Sequence, residues 1–273
     1  MSDIPAPRVE TAIADHGGGR IATLTFDNSG KLNTVGSAEV ARLRMAFGAV
    51  REVDNLRAVI LTGAGGRAFI GGANIFEMAT LEPDSARRFI TALHALCADI
   101  RALPVPVVAR IEGFCLGAGL EVAAACDYRV AAHGSQFGMP EVRVGIPSVI
   151  EAALLPRLIG MAATADLLLT GRTIDAGAAR DMRLVNRIVP ADALDQAIAA
   201  WIDEILPAGP KAVADQKALM HAWEEMPLSA GIQAGIDAFA CSFESDEPRR
   251  MMDDFIRRQR TRRAEKSSGD ASG

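Results

Sequence analysis

The chain reads as an α/β fold followed by a wholly helical region, and three observations predict it. The valine- and isoleucine-bearing runs Arg57 to Thr62 and Val105 to Ile111, and the alternating apolar and polar run Ile21 to Phe26, read as strands. Stretches with helical spacing lie between them. Beyond Pro190 only helical patterns remain, punctuated by Pro207, Gly209, Pro210, Pro227 and Pro248.

In order, Val9 to Ala14 and Ile21 to Phe26 read as two strands joined by a glycine turn at His16 to Gly19. The polar loop DNSGKLNTVG follows, and Ser37 is placed to cap a helix running to about Val53. The strand Arg57 to Thr62 runs into GAGGRAFIGGANIFEM. Gly63, Gly65 and Ala68 have the spacing of a dinucleotide-binding turn, but such a turn must enter a helix at once, and here Phe69, Ile70, Gly71 and Gly72 intervene. Asp84 opens a long amphipathic helix with Phe89, Ile90, Leu93, Leu96, Cys97 and Ile100 on one stripe. One histidine and one cysteine on that stripe, His94 and Cys97, read as core filling rather than metal ligands.

The stretch from Ala109 to Ala152 carries the chemistry. Gly113, Gly117 and Gly119 arrive within seven residues, and Ala118 and Ala123 to Ala125 follow on a helix-forming segment. A helix start offers unpaired N–H groups and the positive end of the peptide dipole, a ready site for an oxyanion. Glu121 is the exception among apolar neighbours, where desolvation raises a carboxyl pKa and suits it to proton transfer. It reads equally as a residue answering the helix dipole or as half of a buried ion pair. Glu141 follows in GMPEVRVGIP; alone it reads as a surface loop residue, and with Glu121 as the second member of an acid/base pair.

Composition narrows the options. The 273 residues fit one large domain, or a core with an appendage, and with 49% hydrophobic but only 5% aromatic residues the interior must be aliphatic. A net charge of −5 gives no footprint for nucleic acid. Cys97, Cys115, Cys126 and Cys241 have no paired spacing and read as reduced thiols in a cytoplasmic protein. The start MSDIPAPRVE lacks the features of a secretory signal, and no run reaches the roughly 18 apolar residues of a membrane span. No fixed-period repeat and no Ser-His-Asp or Cys-His arrangement is visible.

The stretch GFCLGAGLEVAAACDYRVAAHGSQFGMPEVRVGIP resembles the signature of the enoyl-CoA hydratase/isomerase family, the crotonases, and the likeness extends over nearly the whole chain. It implies a crotonase-like (ClpP/crotonase) spiral of ββα units with a C-terminal helical region: residues 1–195 as the core with the active site, 196–262 as a helical oligomerisation and lid region, and 263–273 as a disordered tail. It makes Glu121 and Glu141 the catalytic acids, Glu121 activating a water for C3 and Glu141 delivering a proton to C2. It places the two oxyanion-hole N–H donors at Ala73 and Ala118. The loop at Lys31, Leu32 and Asn33, with Asn74, Ile75 and Gly117, is assigned to the acyl-CoA substrate. The expected activity is hydration of a trans-2-enoyl-CoA thioester, coenzyme A being part of the substrate, with no metal or redox cofactor. Isomerisation, another lyase reaction on a substituted acyl-CoA and non-catalytic binding are the alternatives. A homotrimer or a hexamer built from two trimers is expected, with neither nucleic acid nor membrane as partner.

The chain departs from the common family form at Ile146-Pro147-Ser148-Val149-Ile150-Glu151, where Ile-Pro-Gly-x-Gly-Gly-Thr is usual. Ser148 falls where a glycine N–H helps place the reacting water, and Glu151 adds a third acid. Asn74 replaces the usual aspartate and Phe76 a frequent lysine. The basic run RRQRTRR reads as a solvated helix face.

Overall fold

The computed structural model describes residues 6–270, with side chains as far as 261. Strands β1 (Arg8–His16) and β2 (Gly19–Asp27) form the expected hairpin, with His16 opposite Gly19 across the turn. Helix α1 (Ser37–Arg51) follows, and Ser37 is its first residue rather than its cap. The Gly36 N–H is taken by Glu39 Oε2 at 2.8 Å, and the Ser37 hydroxyl donates to Glu77.

Thereafter the chain alternates between two sheets. Strands β3 (Leu56–Gly63), β5 (Val107–Ile111), β7 (Tyr128–Ala132) and β10 (Arg187–Val189) join β1 and β2 in a sheet of order β1-β2-β3-β5-β7-β10, parallel from β2 onward. The short strands β4 (Ala68–Ile70), β6 (Phe114–Leu116), β8 (Gln136–Gly138) and β9 (Thr173–Asp175) make a second sheet in that order, with β9 antiparallel. The steps from β3 to β4, β5 to β6 and β7 to β8 are the strand pairs of successive ββα units of the expected spiral. The run Gly63 to Ala68 is therefore a strand-to-strand turn and not the start of a helix, as a dinucleotide site would need. At Gly113, φ 73°, an added Cβ would stand 2.1 Å from the Arg67 carbonyl oxygen, so the bend between β5 and β6 admits only glycine.

After α1 the helices between strands are α2 (Ile75–Met78), α3 (Pro83–Arg101), α4 (Ala118–Ala125), α5 (Leu155–Thr170) and α6 (Ala176–Asp181), and α7 (Leu194–Ile205) follows the last strand. The period of two along each strand sorts its residues between two cores. Val107, Ala109 and Ile111 join the main core with Leu24, Phe26, Phe69, Leu93 and Phe137, whereas Val108, Val130 and Ala132 face the other way. That outer face is closed by Leu194, Ala197, Ile198 and Ile202 of α7. Burying each of these larger aliphatic side chains contributes about 1.5–3 kcal/mol. This packing places α7 in the first of two compact units, Met1–Leu206 and Pro207–Gly273, so the boundary falls after α7 and not at residue 195.

All eight residues of α4 are buried. Its C-terminal end is held by the buried Arg129, whose guanidinium donates to the carbonyls of Cys126 at 2.6 Å, Ala123 at 3.3 Å and Leu184 at 2.7 Å. A cation on orphan C-terminal carbonyls satisfies both the charge and the helix end.

The stretch Ile150–Thr170 is long and apolar enough to cross a membrane, contrary to the expectation that no run is. Its backbone is a 3-10 turn, Ile150–Leu154, followed by α5, which is broken at Gly160 (φ 78°, ψ 157°), and it carries Arg157 and Asp166. An interrupted helix leaves backbone groups unpaired, which lipid does not tolerate, and the turn packs on α4 and α3.

In the second unit α8 (Pro210–Trp223) has its first N–H groups capped by Glu247, which accepts from Ala212 at 2.9 Å and Lys211 at 3.2 Å. Trp223 Nε1 donates to Gly231 O in α9 (Leu228–Ser242). Helix α10 (Glu247–Asp270) continues past Arg262, where the sequence reading ended it, into the segment expected to be disordered; residues 271–273 of that tail lie outside the described residues.

Candidate active site

The two backbone donors lie at one end of adjacent parallel strands. Ile70 of β4 is in register with Cys115 of β6, and Ala73 and Ala118 each come three residues later. An added Cβ at Gly119 would stand 2.0 Å from Ile70 O, so the first turn of α4 abuts the end of β4. Ala73 is bridged to Val35: the Val35 N–H donates to Gly72 O at 2.9 Å and the Asn74 N–H to Val35 O at 2.8 Å. In a parallel bridge of this kind the central residue's own N–H points away from the partner strand. Ala118 is the first residue of α4, where the helix itself provides no acceptor. Among the described residues neither N–H has a hydrogen-bond acceptor.

The carboxyl groups come to the same place. The Gly117 N–H bonds Gly138 O at 2.9 Å at the end of the β6/β8 pair, and the 3-10 turn Pro140–Val144 follows. That turn returns Glu141 so closely that a Cβ on Gly117 would meet its Oε1 at 2.5 Å; Gly117 also has φ 51°, so glycine is required here twice over. Glu141 is half-buried, and its Oε2 accepts from Ser148 Oγ at 2.8 Å. Glu121 is only 4% exposed. Its pKa is pushed up to about 8, chiefly by burial, then by the charges of Glu141 and Glu151, while N–H groups of Ala152 and Val149 pull the other way. One carboxyl is thus dry and holds its proton near neutral pH, beside another with a different environment, which is the arrangement acid/base chemistry needs.

The remaining expected residues divide. Leu32 O accepts from Gly71 N at 3.0 Å, so the Lys31 to Asn33 loop lies against the segment leading to Ala73, with Lys31 exposed. Asn33 does not fit its expected ligand contact: it is fully buried, and its side chain bonds Asn28 N, Ala64 O and Ala68 O, closing the loop instead. Asn74 caps α2 through its side chain, and Ile75 is 47% exposed. Ser148, expected to place the water, has its hydroxyl on Glu141. His94, expected in the core, has a side chain 56% exposed, with Nδ1 2.8 Å from Glu151 Oε1, while Cys97 on the next turn is buried. The sequence signal for the Ser148 and Glu151 contacts was the departure at 146–151 itself.

Ser148 Oγ donates to Glu141, so we expect Ser148→Ala to lower kcat about 10-fold with KM little changed, the loss of one hydrogen bond to a carboxylate. Ser148→Thr, which keeps the hydroxyl, should restore the rate; equal rates for all three proteins would remove the role.

Comparison with known proteins shows the family. A sequence model described as enoyl-CoA hydratase/isomerase matches residues 16–264. The short-chain-enoyl-CoA hydratase of Clostridium acetobutylicum is 30% identical over 243 residues, 89% of this chain and 93% of that one. The cyclohexa-1,5-dienecarbonyl-CoA hydratase of Thauera aromatica is 39% identical over 142 residues, 52% of this chain and 54% of its own. The crystal structure of an enoyl-CoA hydratase from Mycobacterium smegmatis superposes with a TM-score of 0.87 at 28% identity, covering 93% of this chain and 97% of that one.

Proposed function

We propose, since the chain belongs to the enoyl-CoA hydratase/isomerase family, that it adds water across the 2,3 double bond of a trans-2-enoyl-CoA thioester. The observation that carries this reading is the Glu141 carboxyl group seated against Gly117, next to the Ala118 N–H, which no described protein group accepts, and close enough to Glu121 to raise its pKa. With the thioester oxygen between the Ala73 and Ala118 N–H groups, charge that moves onto it during addition meets two fixed donors, the largest contribution expected in such sites.

Hydration then needs one carboxylate and one carboxylic acid. The carboxylate takes a proton from water as the oxygen bonds to C3, the π electrons shift toward C2 and the thioester oxygen, and the acid delivers its proton to C2. The net change is one water added and one proton moved between the two acids. The family resemblance gives Glu121 the base's part and Glu141 the acid's, whereas burial and the neighbouring carboxylates make Glu121 the group that keeps its proton up to about pH 8. We therefore describe the two as a pair sharing one proton, whose apparent pKa values belong to the pair. Addition of water involves no net oxidation or reduction and calls for no redox cofactor. The four cysteines, none of them in a disulfide, suit a reducing cytoplasm, which we propose as the compartment.

The direct test is loss of enoyl-thioester absorbance with crotonyl-CoA. The native protein should turn over, and Glu141→Gln should be slower by at least ~10²-fold; a native rate in that variant would sink the assignment, and migration of the double bond without water uptake would make the protein an isomerase.

Self-assembly belongs to the same proposal. On α9, Leu228, Ile232, Ile236 and Phe239 are 81%, 58%, 57% and 70% exposed and fall on one stripe, more apolar surface than a lone helix face leaves to water. We expect a trimer or a pair of trimers by light scattering, and Ile232→Lys with Ile236→Lys should shift it to monomer.

A further inference from the structure

One histidine outside the site is tied to it through a buried carboxyl group. Glu151 lies in the 3-10 turn Ile150–Leu154 and is buried. Two groups of α3, one turn apart, receive its side chain: His94 Nδ1 stands 2.8 Å from Oε1, and the Cys97 thiol hydrogen-bonds the same carboxyl group. A carboxylate oxygen accepts, so Nδ1 carries the hydrogen, whether the ring is neutral or cationic. Helix α3 is a firm support, because Leu93, Leu96, Cys97 and Ile100 seat it in the main core.

The turn in question is the one that faces Glu121. It packs on α4 as well as on α3, and the N–H groups of Val149 and Ala152 are directed at the Glu121 carboxyl group. Between these two donors stands Ile150 at φ 43°, a left-handed conformation that a β-branched residue adopts only where its surroundings enforce it. Glu151 is the next residue, and its bond to α3 supplies such an enforcement. The path from surface to site is therefore short and made of contacts: His94 to Glu151, Glu151 to the turn, and the turn's N–H groups to Glu121.

We propose that His94 is a positioning residue for the reaction: through Glu151 it pins the turn Ile150–Leu154, and so fixes the direction in which the Glu121 carboxyl group points. This rests on the hydratase reading above. A catalytic group displaced by ~1 Å can cost ~10²-fold in rate, so a contact two steps removed from the chemistry is enough to matter. Such an effect belongs to kcat, because His94 acts on the orientation of Glu121 and not on the binding of the thioester.

The test starts from His94→Ala, whose site is 56% exposed and outside the core, so the variant should fold. With crotonyl-CoA its kcat should fall ~10-fold while KM stays within ~2-fold of native. His94→Asn, whose side-chain nitrogen falls where Nδ1 stands, should restore most of the rate. Added to Glu121→Gln, His94→Ala should cost less than ~2-fold, since the group it orients no longer takes or gives a proton. Hydrogen exchange read by mass spectrometry follows the turn without turnover: amides of residues 148–153 should exchange ~10-fold faster in His94→Ala and return toward the native rate in His94→Asn. A native kcat in His94→Ala, or an undiminished loss in the Glu121→Gln background, overturns the role while the hydratase reading stands. If the native protein hydrates nothing, the hydratase reading fails; unchanged exchange in His94→Ala then overturns the pinning of the turn as well, and faster exchange upholds it.

Discussion

Glu121→Gln is expected to lose at least ~10²- to 10³-fold in kcat on crotonyl-CoA and, above about pH 8, to be more stable than the native protein. Both effects have one cause. Glu121 is 4% exposed and its pKa is raised from 4.5 to about 8, with burial the first cause and the Glu141 charge the second. A carboxyl whose folded pKa is raised keeps its proton in the folded state after the unfolded chain has lost it. The native protein's stability therefore falls as pH rises from 4.5 toward 8 and levels off above, because the folded state binds the extra proton throughout that interval. Each unit of pKa corresponds to about 1.4 kcal/mol, so the shift amounts to a few kcal/mol. Glutamine does not titrate and removes that dependence. Thermal melts at about pH 5.5 and pH 9 should show the variant's advantage only at the higher value. In the native enzyme kcat/KM should fall as pH passes about 8, where the pair gives up its shared proton. A variant that melts in parallel with the native protein at both pH values would show that Glu121 is not held in its neutral form.

Much of this site is legible in the letters because it is built from short-range pattern. The strands β2, β3 and β5, the glycine turn before α4 and the position of Glu121 inside an apolar helix follow from local spacing. The two glutamates and the two donors came from a motif in which twenty residues separate the acids, and the β6/β8 register is what returns Glu141 to Gly117. What was missed depends on partners far apart along the chain. His94 and Glu151 are 57 positions apart, so helical periodicity put His94 on the stripe with Cys97 and gave no hint that its ring meets the turn after the site. Asn33 has a loop residue's sequence context, yet its amide reaches Ala68, 35 positions away. The unit boundary was set early because the apolar face of α7 cannot be assigned to a partner from its own sequence; its partners are the outward residues of β2, β3, β5 and β7. In each case a contact distant along the chain gave the residue a task that its local pattern did not show.

Ala118→Pro is expected to cost ~10²- to 10³-fold in kcat, the typical loss of one oxyanion-hole donor, with little change in stability. The argument turns on where Ala118 stands. It is the first residue of α4, the position at which proline is best tolerated, because the missing N–H has no carbonyl to meet within the helix and the fixed φ suits the first turn. The substitution thus deletes the donor while leaving Gly117 to approach Glu141 and the chain to enter α4 as before. The neighbouring N–H groups of Leu120 and Glu121 cannot replace it, since both are bound to Gly117 O, at 2.8 and 3.0 Å. If catalysis came from the two carboxyl groups alone, the proline protein would keep its rate. If the backbone donor stabilises the enolate, kcat should collapse while the melting temperature and the pH of the basic limb, both set by Glu121 and its neighbours, stay in place. Ala118→Ser, which keeps the N–H and adds little bulk, should retain most of the activity; a loss equal to that of the proline variant would mean that the side chain and not the backbone is what the site requires.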